Sequence, residues 1–330
     1  MRRGESVPPI EAVAAVTQRL AVLLSAGVSP VSAWGYLLPT SGGLPAATIR
    51  TVRRAGPSVE GGAEIATTGI LRAAARAAAR GDSVADAIAG QARGETESAW
   101  RGLAAAWQVA TQAGAPLAGC LRELAASLRD LAQVQRDLEV ALAAPRATAR
   151  LVMVLPVIGI LFGSLMGFDS VHTLFATVPG LVCLAGGGVL MLAAAAWSRA
   201  LVRRAAPTEL TPGLRLELMA IAMSGGGSID RSRALVHAAA ERYAIGPGAG
   251  DDPIARVLDL STRAGVPAAE LLRSEAEQVR RDARSAGQRR AGTLSVTLML
   301  PLGLCVLPAF MLVGVVPLLI SVLSSTLATF

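Results

Sequence analysis

The stretch "TQAGAPLAGCLRELAASLR" at residues 111–129 returns in altered spelling as "STRAGVPAAELLRSEAEQVRR" at 261–281. With Gly114 set over Gly265, Pro116 falls on Pro267 and Leu121-Arg122 on Leu272-Arg273. Each copy has the grammar of a helix–turn–helix joint. One helix ends where glycine takes a left-handed φ, and the next starts behind a proline whose missing N–H is no loss in a first turn.

Working outward, "LLSAGVSPVSAW" at 23–34 reads as a second kind of joint, with Gly27 as the turn, Ser29 as N-cap and Pro30 behind it. "AMSGGGSIDRSRAL" at 222–235 repeats it, with Gly226 at the centre of the glycine triplet and Ser228 as cap. The order is therefore the same twice: helix, Ser-Gly turn, helix, Ala-Gly-x-Pro turn, long helix, apolar run. This predicts a duplicated unit, each copy a helical bundle feeding a membrane span. Gly27, Gly114, Gly226 and Gly265 are its structural turns. The first copy holds an insertion, and residues 40–62, rich in Gly, Ser, Thr and Pro, read as a flexible linker. After it "ILRAAARAAAR" is helical in pattern, and Gly81 with Asp82 or Ser83 starts another short helix. Leu117, Leu121, Leu124, Leu128, Leu131, Leu138 and Leu142 form a seam spaced by fours and threes with Gln135 as its only gap, which packs within its own bundle or pairs two chains.

Composition agrees with closely packed helices. Hydrophobic residues are 52% but aromatics only 3%, so a core must be built from Ala, Leu and Val, and a sheet would want more β-branched and aromatic residues. The mean hydropathy of +0.50 is high for a wholly soluble chain. Residues 151–168 and 174–197 are uncharged and long enough to cross about 30 Å of hydrocarbon, with only a short "DSVHT" between them. They form a hairpin. Arg146 and Arg150 flank one side, Arg199, Arg203 and Arg204 the other, and the loop has no Arg, so both ends face the cytoplasm. The run 293–323 is expected to be one tilted helix kinked by Pro301, Pro308 and Pro317, rather than two short spans with no polar turn between them.

The expected fold is thus all-α. A cytoplasmic bundle at 1–148 precedes a transmembrane hairpin at 151–197, a second bundle at 205–290 and a third span at 293–323, with the N-terminus inside and the C-terminus outside.

The net charge of +7 and pI near 10.7 would suit nucleic acid, but there is no Arg in 151–198 or 291–330, and no stacking aromatics or recognition module accompany the rest. Membrane topology explains the charge, and no nucleic-acid partner is expected. Cys120, Cys183 and Cys305 lie in apolar company with no zinc or disulfide spacing. His172 and His237 stand alone. No phosphate loop, HExxH or GxSxG occurs, and the expected spans carry no intramembrane charge beyond an edge Asp169. No catalytic residue, metal site or cofactor is expected, and the chain is read as a non-enzyme. A transporter or channel subunit is the alternative, and it would want polar residues lining a span.

"RLAVLLSAGVSPVSAW" resembles the opening of the type II secretion system F domain. "WQVATQAGAPLAGCLRELAASLR", followed by "APRATARLVMVLP" and a hairpin, resembles the TadB side of the tight-adherence (Tad) pilus machinery. The closing "LSTRAGVPAAELLRSEAEQVRRDARSAGQRRAGTLSVTLMLPLGLCVLPAFMLVGVVPLL" is similar to TadC-type proteins. The resemblance implies a platform protein of the inner membrane, whose helical bundles contact a hexameric secretion ATPase and whose spans help lift pilin or pseudopilin subunits from the bilayer. A second copy of the chain or a second platform protein is the implied assembly partner. Arg122, Arg129, Arg273 and Arg280, on the long helix of each copy, are candidates either for facing that ATPase or for anchoring to lipid headgroups.

Overall fold

The computed structural model describes residues 9–39, 59–165, 177–205, 213–246, 252–317 and 319–320. Among them every regular element is helical and no strand occurs. The helices are α1 (Pro9–Ser25), α2 (Pro30–Tyr36), α3 (Val59–Arg80), α4 (Val84–Gln91), α5 (Glu97–Ala113), α6 (Leu117–Leu165), α7 (Val178–Ala205), α8 (Leu214–Ser224), α9 (Ile229–Arg242), α10 (Asp252–Ala264) and α11 (Ala268–Thr297). A single 3₁₀ turn, Gly94–Thr96, leads into α5, and a last helical run follows α11.

The chain divides into a helical unit, residues 1–136 with 208–285, and an apolar unit, residues 137–207 with 286–330. The long helices α6 and α11 contribute to both. The boundaries therefore fall within these helices rather than near 148 and 290, and the two segments expected as separate bundles form one unit around a common core. That core runs from Ile10 and Leu20 through Trp100, Leu103 and Leu121 to Leu218, Val257 and Leu272.

Two helices explain why the segments merge. In α5, Ala99, Trp100, Gly102 to Trp107, Val109 and Ala110 are all buried, and in α8 every residue from Leu216 to Ala222 is buried. A helix apolar on all sides must be covered on all sides. α5 is covered by α1, α4, α8 and α9, and α8 by α5, α9 and α10. On α5 the buried face is largely alanine, which lets a neighbouring helix come close. At the end of α5 the approach is closest: a Cβ on Gly225 would lie 1.9 Å from the Ala113 carbonyl oxygen, so only glycine fits there. Trp34 of α2 reaches the same core, its ring 5.2 Å from that of Trp107 and tilted by 59°. Such a pair adds about 0.5–1.5 kcal/mol beyond its buried area.

The expected linker at 40–62 is corrected at its end. Residues 40–58 lie outside the described residues, but 59–62 already belong to α3. Its glycines cost about 1 kcal/mol each in a helix, and burial of Ile70, Leu71, Ala74, Ala77 and Ala78 further along the same helix outweighs them. The leucine seam of α6 is spent inside the unit: Leu121, Leu124 and Leu128 are core residues, with Leu117 and Leu131 packed against them.

In the apolar unit, α7 and the last helical run lie antiparallel. Leu201 and Val202 meet Leu294 and Leu298, Ala194 sits with Cys305 and Val306, and Gly187 faces Val313. A Cβ on Gly187 would come 2.3 Å from Val313 Cγ2, so this glycine marks a close helix approach. Two helices, Val178–Arg203 and Ala268–Val315, are long and apolar enough to cross a membrane. Their surfaces are unlike those of a soluble core helix: Val182, Val189 and Leu192 are 66%, 65% and 72% exposed. The first expected span is helical to Leu165, and residues 166–176, with the expected loop and His172, lie outside the described residues.

The prolines of the last run widen the helix instead of breaking it. Proline removes an N–H and crowds the carbonyl four residues back. For Pro308 and Pro317 that carbonyl belongs to Leu304 and Val313, and each lies in the middle of a π-helical segment, Leu302–Val306 and Met311–Val315. For Pro301 it belongs to Thr297, where α11 ends. A π turn takes up one extra residue and so relieves the clash. The chain stays helical through Pro317, as one run and not a hairpin.

Candidate functional site

Four glycines place the joints. Gly27, Gly114, Gly226 and Gly265 have φ of 86°, 70°, 80° and 68°, a region open to glycine and strained for other residues. At Gly114 the ending is closed by Ala115 N–H donating to the Ala110 carbonyl at 2.9 Å. A further joint, Gly81-Asp82-Ser83, has the geometry of the Gly27 and Gly226 joints. Ser29, Ser83 and Ser228 each accept a hydrogen bond from the backbone N–H three residues on, at 3.2, 3.2 and 3.3 Å. Ser83, not Asp82, is the cap.

The four candidate arginines separate into two kinds. Arg122 and Arg129 are exposed on α6, and Arg129 donates to Gln18 Oε1 of α1 at 2.7 Å. Arg273 and Arg280 are turned inward, which corrects their reading as partner-facing. Arg280 lies 2.9 Å from Glu217, a carboxylate 2% exposed in the first turn of α8. Arg273 stands between Glu123 of α6 at 3.3 Å and Glu270 at 2.9 Å. An ionised carboxylate in a core must be paired, so α11 spends these two cations holding α8 and α6. Burial pushes the Glu217 carboxyl up to about 7 against the downward pull of Arg280. The neighbouring Cys120 thiol is pushed up to about 11, again by burial, which leaves it an inert core residue.

A second polar cluster ties α9 to α4 and α5. Arg242 donates to both oxygens of Asp86 at 2.7 Å, and the Tyr243 hydroxyl shares its single proton between Asp86 Oδ1 at 3.1 Å and Gln108 Oε1. The hydrogen bond from Arg242 holds the Asp86 carboxyl below its usual range, while burial raises the Tyr243 phenol. Arg136 reaches Glu11, and Arg284 reaches Asp130 at 3.4 Å. Sequence reasoning passed over Glu217, Asp86 and Tyr243. One signal for Glu217 was present, a lone carboxylate inside the apolar "LELMAIAMS".

Among the described residues no cluster of three His, Cys, Asp or Glu is placed to hold a metal ion. His237 pairs with Glu241 at 3.6 Å on the surface of α9.

The ion pairs and hydrogen bonds brace the helices of this unit against one another. Residues 58–165 match the family "Type II secretion system (T2SS), protein F". The protein F region covers about a third of the chain. It takes in α3, the Gly81 and Gly114 joints, the buried α5, and α6 to its last described turn. It fits a platform protein of a type II secretion or type IV pilus system in general, and proteins of this family are inner-membrane proteins. No curated protein and no solved structure matches the chain.

Proposed function

We propose that the chain is a non-enzymatic platform in the inner membrane of a Tad or other type IV-like pilus, or of a type II secretion system. In this reading it couples a hexameric cytoplasmic ATPase to the extraction and assembly of pilin or pseudopilin subunits. The observation that carries it is the protein F region, which runs from the packed helices into an apolar span. The chain is read as a duplicated unit with three spans, at 151–168, 174–197 and 293–323, with the N-terminus cytoplasmic and the C-terminus outside. The antiparallel pairing of α7 with the last run supports that order, since consecutive spans of opposite direction pack this way. The shared core supports coupling: with α5 and α8 wedged together, a push on either segment is felt by both. Arg122 and Arg129 are the arginines left facing outward, and they are the ones assigned to an acidic surface on the ATPase.

The test uses the full chain purified in detergent. It is expected to co-elute with its ATPase at low salt, and Arg122→Glu with Arg129→Glu should weaken that binding while helicity is unchanged. Absence of any complex refutes the platform reading. A complex indifferent to salt and to the reversal moves the contact to another surface. A reporter fused after Phe330 should behave as extracytoplasmic, and a cytoplasmic one overturns the three-span topology.

A further inference from the structure

The Gly27, Gly81 and Gly226 joints share one design but differ in one bond. In the first two, the N–H of the middle residue closes on the carbonyl five residues back, Val28 on Leu23 at 3.0 Å and Asp82 on Ala77 at 2.9 Å. In the third, Gly227 N–H and the Ala222 carbonyl make no such bond, and among the described residues Gly227 N–H has no other acceptor. A cavity of about 140 Å³ opens there instead, between the end of α5 and the start of α9.

The walls of the cavity are rich in donors. Ser232, 2% exposed, lines it with a hydroxyl that has no hydrogen-bond partner. Its Oγ is 3.3 Å from the point a Gly227 Cβ would occupy, so it faces the glycine loop. A helical serine ordinarily bonds a carbonyl one turn back, but here the Ser228 carbonyl takes only the Ser232 N–H, at 2.9 Å. Arg231 and Gln112 complete the polar lining, and no carboxylate joins them. Arg231 has no ion-pair partner among the described residues. The cavity also sits at the N-terminal end of α9, a 14-residue helix whose dipole favours negative charge. The buried Ser232 hydroxyl left unpaired costs about 1–3 kcal/mol, and one ligand with several acceptor oxygens would satisfy it together with the half-buried Gly227 N–H. The volume suits one tetrahedral oxyanion, or about four or five waters at about 30 Å³ each.

We propose that the Gly225–Gly227 joint is a binding site for a small tetrahedral oxyanion, of which inorganic phosphate is the type. Gly227 N–H, the Ser232 hydroxyl and the Arg231 guanidinium hold it, and its occupancy pins the start of α9 to the end of α5. Phosphate is a product of nucleotide hydrolysis, and a role for the site in sensing such a reaction rests on the platform reading. The binding proposal stands independently of the platform reading.

The test titrates inorganic phosphate from 0 to about 20 mM against the full chain in detergent, with ionic strength balanced by chloride. Thermal melting is followed by circular dichroism and the phosphate line width by ³¹P NMR. The expected result is a saturable rise of about 2–5 °C in the midpoint, with broadening of the phosphate signal. Arg231→Gln removes a charge-assisted contact and should weaken the half-saturation about tenfold or more, and Ser232→Ala should weaken it by a smaller factor. Phosphate also stabilises proteins generally by exclusion from their surface, a rise that does not saturate. An unsaturating rise equal in wild type and both variants, or a line width that stays sharp, overturns the site. Tighter binding of ADP than of phosphate would assign the oxyanion to a nucleotide's phosphate instead.

Discussion

Consider replacing Glu217 in two ways. Its carboxylate is 2% exposed, lies 2.9 Å from Arg280, and has one oxygen, Oε1, without a hydrogen-bond partner. Glu217→Ala leaves Arg280, itself only 15% exposed at the side chain, facing a cavity with no counter-charge. Breaking one side of a buried pair costs about 3–5 kcal/mol. Glu217→Gln keeps the volume and an acceptor oxygen for Arg280 and removes the buried charge, so its cost should be about 1–2 kcal/mol at pH 7. The pH dependence follows from the raised carboxyl. The folded value, about 7, lies above the ordinary glutamate value of 4.5, so the folded state holds a proton that the unfolded state has lost. Between these values stability falls as pH rises. The stabilisation is present in full below about 4.5 and gone above about 7, for a total of roughly 3 kcal/mol. Urea unfolding of the full chain in detergent, followed by circular dichroism at pH 5, 6, 7 and 8, measures both effects. The wild type should lose stability across that series and the Gln variant should be flatter. If Gln costs as much as Ala, or if both slopes are equal, the buried pair is not what braces α8 against α11.

Further substitutions probe the packing and the joints. Gly225→Ala would put a methyl 1.9 Å from the Ala113 carbonyl oxygen, forcing α5 and α8 apart at a cost of about 2 kcal/mol or more in the same unfolding assay, and a neutral result would refute the close approach. Gly265→Val, at φ 68° with no neighbour within 4 Å of a new Cβ, isolates backbone strain and should cost about 1–2 kcal/mol. The same change at Gly35, which is helical and equally open, should cost far less. Tyr243→Phe removes a hydroxyl that serves both Asp86 and Gln108 and should cost about 1–2 kcal/mol. With Asp86 held below its usual range, that cluster contributes stability above the ordinary carboxylate range and loses it as pH falls below it, opposite in sign to Glu217.

The sequence by itself determined the local grammar of this protein. Helix, joint and apolar run are set by neighbours a few residues apart: a glycine that accepts positive φ, a serine three residues before the N–H it caps, and stretches with no charge across a membrane's thickness. The glycine φ values, the serine caps and the two apolar helices follow from such short-range chemistry. Tertiary structure decided which surfaces meet. Ala-rich α5 and aliphatic α8 carry no directional mark of a partner, because such side chains pack against any apolar face, so their union into one core was not legible along the chain. The roles of Arg273 and Arg280 were hidden for the same reason. An arginine on a polar helix reads as solvated until the fold sets a buried carboxylate, Glu217, opposite it. Glycine likewise reads as a turn anywhere, yet at Gly225 the space needed is set by Ala113, a residue more than a hundred positions away whose carbonyl only the folded chain brings within 2 Å of the missing Cβ.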